Sequence, residues 1–177
     1  PERHRAAQGS PEAGVDKIAL VAQLSDRLRA SLATARREAE AAAEEAREGA
    51  TPNERREDSR TALEFSRLAR SQSERARRMH SDLLQLDGFR PDPLPSGAAI
   101  TLGSVVEIEH EEEGGRTIFV APVGAGEELT GPGGDGFLSV VTPASPVGRA
   151  LLGRRVGESI DVRIAGVLHE WTIAFAE

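Results

Sequence analysis

The chain has 177 residues, of which 38% are hydrophobic and 3% aromatic, and its 29 acids and 22 bases leave a net charge of −7. So few large apolar side chains suit an extended part joined to a compact one better than a single large core. Cysteine is absent, which excludes disulfides and thiolate metal sites, and no apolar run approaches the roughly 18–20 residues that span a bilayer.

The charge is uneven. Residues 98–177 hold 12 acids and 5 bases, while residues 1–97 hold 17 of each. A protein that grips DNA without sequence preference needs a basic face, so neither nonspecific nor sequence-specific DNA binding is expected. Lys17 is the sole lysine.

Residues 1–14, "PERHRAAQGSPEAG", are small and polar and read as a disordered leader. They lack the apolar stretch of a signal peptide, so the expected location is the cytoplasm. A helical hairpin is expected over 15–86. From Val15 to Glu48 there is neither proline nor glycine, and Asp16 suits an N-cap. Ile18, Val21, Ser25, Leu28, Leu32, Ala35, Ala39, Ala42 and Ala46 recur in alternating steps of three and four, the seam of a coiled coil. The same alternation returns from Glu57 to Leu86 in Ala62, Phe65, Ala69, Gln72, Ala76, Met79, Leu83 and Leu86. Two such helices joined at a short tip, 49–57, predict an antiparallel arm about 45–50 Å long. Bulky seam residues lie at its base and alanines towards its tip.

Residues 87–97, "DGFRPDPLPSG", form a proline-stiffened linker. Over 98–177 the apolar period changes to two. "ITLGSVVEIEH" and "RTIFVAPV" predict a hairpin, "GAGEELTGPGGDG" a glycine-rich connection, and "FLSVVT" a short strand. Ser145 as N-cap, Pro146 in the first turn and Gly153 past the end predict one short helix. "SIDVRIAGVLHEWTIAFAE" predicts a closing hairpin turning near Ala165-Gly166. The expected fold class is α+β: a coiled-coil hairpin followed by a small antiparallel sheet carrying one helix.

No motif supplies a self-contained active site, so the chain is not expected to be an enzyme. "GAGEEL" and "GPGGDG" lack the strand-to-helix context of a dinucleotide loop, and no P-loop lysine occurs. His4, His80, His110 and His169 lack metal-ligand spacing, and "HEEE" at His110 has no second histidine a turn later. The tip stretch "EGATPNERRED" is the exception, with Glu48, Glu54, Glu57 and Asp58 around the break between helices. Such carboxylates suit a hard cation like Mg²⁺ when another protein supplies further ligands. Glu57 and Asp58 equally suit the N-terminal dipole of the second helix.

"VVTPASPVGRALLGRRVGESIDV" resembles the bacterial GreA/GreB transcript-cleavage factors. Ser145-Pro146, Gly148 to Gly153 and Val156-Gly157-Glu158 follow the family's S-P-x-[AG]-R-A-L-[IL]-G-x-x-x-G-[DE] segment. "FVAPVGAGEEL" and "LEFSRLARSQ" are similar to a divergent Gre-like branch. The resemblance implies an FKBP-like C-terminal fold without isomerase activity, docking on bacterial RNA polymerase with Ala144, Ser145 and Pro146 among the contacts. It implies that the arm threads the polymerase's secondary channel and that the tip acts in trans near the 3′ end of the nascent RNA. Glu54, Glu57 and Asp58 would be the acting carboxylates, with Glu54 and Asp58 sharing the polymerase's Mg²⁺; no cofactor of its own is implied, and the protein would act as a monomer. A gapless alignment sets Thr51 where cleavage factors carry Asp, Glu54 at their Glu and Arg55 at their Asn. Members of the same fold inhibit polymerase without cleavage, and the related regulators of nucleoside diphosphate kinase bind another enzyme, so both readings stand as alternatives. A third treats the heptads as a homodimerisation device.

Overall fold

In the computed structural model, residues 14–48, 58–110, 114–131 and 136–177 are described, with the backbone alone for Glu48 and residues 58–62. Residues 1–13 of the leader and the tip 49–57 lie outside the described residues. The two long helices form as their patterns require: α1 spans Lys17–Glu48 and α2 spans Asp58–Asp87. Asp16 caps the first, its Oδ1 accepting from Ala19 N–H at 3.0 Å. Leu28, Leu32, Ala35 and Ala42 of α1 and Ala76, Leu83 and Leu86 of α2 are buried, as the expected seam requires. At ~1.5 Å per residue the helices are ~48 and ~45 Å long.

The base departs from the seam. Ile18 is 71% exposed, whereas Leu20 and Leu24, which the heptad reading omitted, are 1% and 0% exposed. They serve a second neighbour, the β-sheet, with which they share one core alongside Val105, Phe119, Leu129, Leu138 and Val140.

The sheet comprises β1 Val105–His110, β2 Gly114–Val120, β3 Glu128–Thr130, β4 Phe137–Val141, β5 Ser159–Ile164 and β6 Val167–Ala176. Their order is β3-β4-β2-β1-β6-β5. Two features differ from expectation. The glycine-rich connection contains β3, and the sheet is mixed, because β4 runs parallel to β2 with Thr117 opposite Leu138 and Val120 opposite Val141. The chain reverses at β2–β3 and again at β3–β4, so β4 regains the direction of β2 and fills the place between them. The remaining pairs are antiparallel.

Alternating side chains give the sheet two buried faces. Val105, Phe119, Leu138 and Val140 face the helical arm. Val106, Ile108, Ile118, Val120, Ile160, Val162, Trp171 and Ile173 face α3, Pro146–Leu151, whose Leu151 is fully buried among them. The closing turn falls at Ala165-Gly166, both at positive φ (50° and 88°), the geometry that joins two strands by two residues.

Candidate functional site: the arm base and the Ser145 loop

Among the described residues, three sets of contacts fix the base of the arm to the sheet domain. Gln23 accepts from the Thr130 N–H at 2.6 Å through Oε1 and donates to the Thr130 carbonyl at 3.2 Å through Nε2, covering the outer edge of β3. Leu24 lies over Gly124 so closely that a Cβ there would sit 2.7 Å from Leu24 Cδ1. The start of α1 is tied to the chain's other end, since Val15 N–H donates to Glu177 Oε1 at 2.8 Å and Lys17 Nζ to the Asp92 carbonyl at 3.1 Å. Burial lowers the Lys17 pKa, although the charges of Glu177 and Asp92 act in the opposite direction. The linker is seated too: a Cβ on Gly103 would come within 2.7 Å of Pro91 Cβ. Further along the arm, Leu32 and Ala35 of α1 and Ala76 and Leu83 of α2 are buried, continuing the same core away from this root.

The second feature is the loop after β4. Ser145 Oγ accepts from Gly148 N–H at 3.1 Å and Thr142 N–H at 3.3 Å, and donates to the Thr142 carbonyl at 2.8 Å. Thr142 O also receives Ser145 N–H at 2.9 Å. With its hydroxyl committed inward, Ser145 shapes the loop, and the exposed neighbours Ala144 and Pro146 form its outer surface. Pro146 suits the first turn, where its missing N–H leaves nothing unpaired. Gly148 makes the turn possible, because a Cβ there would lie 2.0 Å from the Thr142 carbonyl oxygen. Gly153, φ 81°, ends the helix, and its N–H donates to the Ile100 carbonyl at 2.9 Å, pinning the loop's far side to the start of the domain.

Glu54 and Glu57, with Thr51 and Arg55, lie outside the described residues. Asp58 opens α2, with only its backbone described. The sheet does bring together two histidines that lie far apart in sequence. His110 and His169 have ring centroids 6.2 Å apart, His169 stacks on Trp171 at 5.6 Å, and the Arg116 guanidinium lies 5.6 Å from the centre of the Trp171 ring. Cross-strand neighbours on one sheet face produce this cluster, a relationship no linear spacing reveals. Among the described residues, no group of three or more His, Asp or Glu is placed to hold a metal ion. No helix among them is long and apolar enough to cross a membrane.

Residues 95–176 match the family model for the C-terminal domain of the transcription elongation factors GreA/GreB. No curated protein matches the chain. Among solved structures it is similar to GreA factor homolog 1 (Gfh1) of Thermus thermophilus, at 24% identity over 86% of this chain and 94% of that one, with a TM-score of 0.34. A second structure of the transcription factor Gfh1 gives 25% identity over 88% and 94%, with a TM-score of 0.38. The GreA/GreB elongation factor of Nitrosomonas europaea gives 19% identity over 55% and 78%, with a TM-score of 0.35. Residues 95–176 are therefore similar to the C-terminal domain of the GreA/GreB elongation factors.

Proposed function

We propose that this protein is a transcription elongation factor that binds bacterial RNA polymerase through its C-terminal domain and passes its helical arm into the secondary channel. The observation that carries this reading is the match to the GreA/GreB C-terminal domain over 95–176 combined with a two-helix arm rooted at its base on that domain. Ala144 and Pro146 form the docking surface, and Ser145 holds its shape. The protein has no active site of its own and works in the cytoplasm, where its polymerase is. Glu54, with Glu57 or Asp58, would help hold the polymerase's catalytic Mg²⁺, which would supply the activation of water for hydrolysis of the nascent RNA. Co-sedimentation with core RNA polymerase tests the docking. The full chain is expected to bind, and Ala144→Arg to weaken binding by about tenfold, equivalent to ~1.4 kcal/mol. A chain that does not bind core polymerase overturns the reading.

A second reading is favoured by one specific residue. Thr51 stands where the cleavage factors have an acid, and a single tip carboxylate gives weaker purchase on an ion than two. In that reading the arm occupies the channel and slows elongation without cleavage.

A further inference from the structure

The two ends of the sheet are treated differently. At one end β3 has its outer backbone groups at Thr130 bonded by Gln23. At the other, β5 pairs with β6 on its inner side and, among the described residues, has no backbone partner on its outer side. Such an edge is a template for another strand unless its side chains forbid pairing.

The register shows which groups face outward. The two-residue turn makes Ile164 and Val167 a hydrogen-bonded pair, and alternation makes Val162–His169 and Ile160–Trp171 bonded pairs as well. The outward N–H and C=O groups are therefore those of Ser159, Asp161 and Arg163.

The side chains of this edge are complementary to themselves. Ile160-Asp161-Val162-Arg163-Ile164 reads the same in chemistry from either end, apart from the exchange of acid for base. Consider two copies laid antiparallel about a two-fold axis through Val162. Asp161 of each faces Arg163 of the other, Ile160 faces Ile164, and Val162 faces Val162. Asp161 and Arg163 also carry the outward backbone groups, so the oppositely charged pairs coincide with the bonded pairs. Centring the axis on Asp161 sets two carboxylates opposite each other, and centring it on Arg163 sets two guanidinium groups opposite. Half-step registers place outward groups against inward ones. One register satisfies backbone and charge together.

The surroundings fit a partner as well. Val156 before β5, with Ile164, Val167 and Leu168 at its far end, are exposed. An antiparallel two-fold brings the Val156 end of one copy beside the Val167 end of the other. The arm's heptads do not offer a competing seam, because Leu28, Leu32, Ala35, Ala76 and Leu83 are already buried within one chain.

We propose that this protein self-associates through β5, two copies pairing antiparallel about Val162 into one continuous sheet. The inference rests on the sheet edge alone and is independent of the polymerase reading. Sedimentation of the full chain over a concentration range of about a hundredfold tests it. The expected result is a mass that rises with concentration. Asp161→Arg should loosen the dimer by about tenfold, since it turns two symmetry-related attractions into repulsions. Arg163→Asp should do the same, and the two substitutions together should restore association. Both side chains are exposed; Arg163 Nη1 also donates to the Gly166 carbonyl at 3.1 Å, so the circular dichroism of each variant is compared with that of the parent chain to show that the monomer's fold is kept. A monomer mass at every concentration overturns the proposal, including the case where another protein's strand takes the edge. So does self-association that either single substitution leaves unchanged, or that the double substitution fails to restore.

Discussion

Gln23 of α1 bonds both backbone groups of Thr130, closing the outer edge of β3 with a side-chain amide in place of a strand. The contact orients the arm, because a helix residue satisfies a sheet edge through one geometry. Replacing it leaves a partly buried N–H without its acceptor, which costs about 1–3 kcal/mol. Gln23→Ala is therefore expected to lower the denaturant midpoint and to speed hydrogen exchange at the Thr130 amide. Unchanged exchange there would mean that the amide is not what holds the edge.

The base of α1 gives a sharper comparison. Leu20 is buried between helix and sheet and Ile18 is exposed, although a strict heptad reading reverses their importance. Leu20→Ala should cost about 2–5 kcal/mol in chemical denaturation. Ile18→Ala should stay within about 0.5 kcal/mol, as surface changes do. Equal losses would place the helix in the other register.

In the Ser145 loop, removal of the hydroxyl and introduction of a methyl should differ in kind. Ser145→Ala removes an N-cap and should cost about 1 kcal/mol, or about 2–4 °C in Tm for a chain of this size. Gly148→Ala drives a Cβ into the Thr142 carbonyl at 2.0 Å, a contact only a backbone shift relieves. It should destabilise the domain more than Ser145→Ala and weaken polymerase binding beyond the loss of stability.

Lys17, the only lysine, allows a direct titration. Its folded pKa lies below the ordinary 10.5, chiefly because burial disfavours the charge. Between the folded value and 10.5 the unfolded chain holds a proton that the folded one has lost, so stability rises with pH across that window. Below the window the cost of burying the charge is present in full. A ¹³C-lysine label should titrate below 10.5 in the native protein and at the free value in urea, and Lys17→Met should remove the rise in stability.

Much of this architecture is legible in the sequence, for reasons particular residues make plain. The three-four alternation from Leu28 to Ala42 and from Ala76 to Leu86 specifies a two-helix arm because that pattern fills one stripe. Ser145, Pro146 and Gly153 mark α3 because caps are local chemistry. Leu20 and Leu24 escape such reading, since they answer to a sheet that begins at Val105, far along the chain. β3 escapes it because three residues among glycines carry no period, and the β2–β4 pairing because chain order alone does not fix strand neighbours. The His110–His169 pair is created by β1 lying beside β6. The tip acids Glu54 and Glu57 stand out by composition and family resemblance, and they lie outside the described residues.

The central claim is tested most directly by RNA release from backtracked elongation complexes of bacterial RNA polymerase, supplied with Mg²⁺ and the full chain. The account predicts release of short 3′ fragments that Glu54→Ala reduces, with Glu57→Ala and Asp58→Ala showing which second carboxylate assists. Slowed elongation without cleavage would establish the inhibitory reading that Thr51 favours. Neither cleavage nor any change in elongation, at concentrations that saturate binding, would contradict the account.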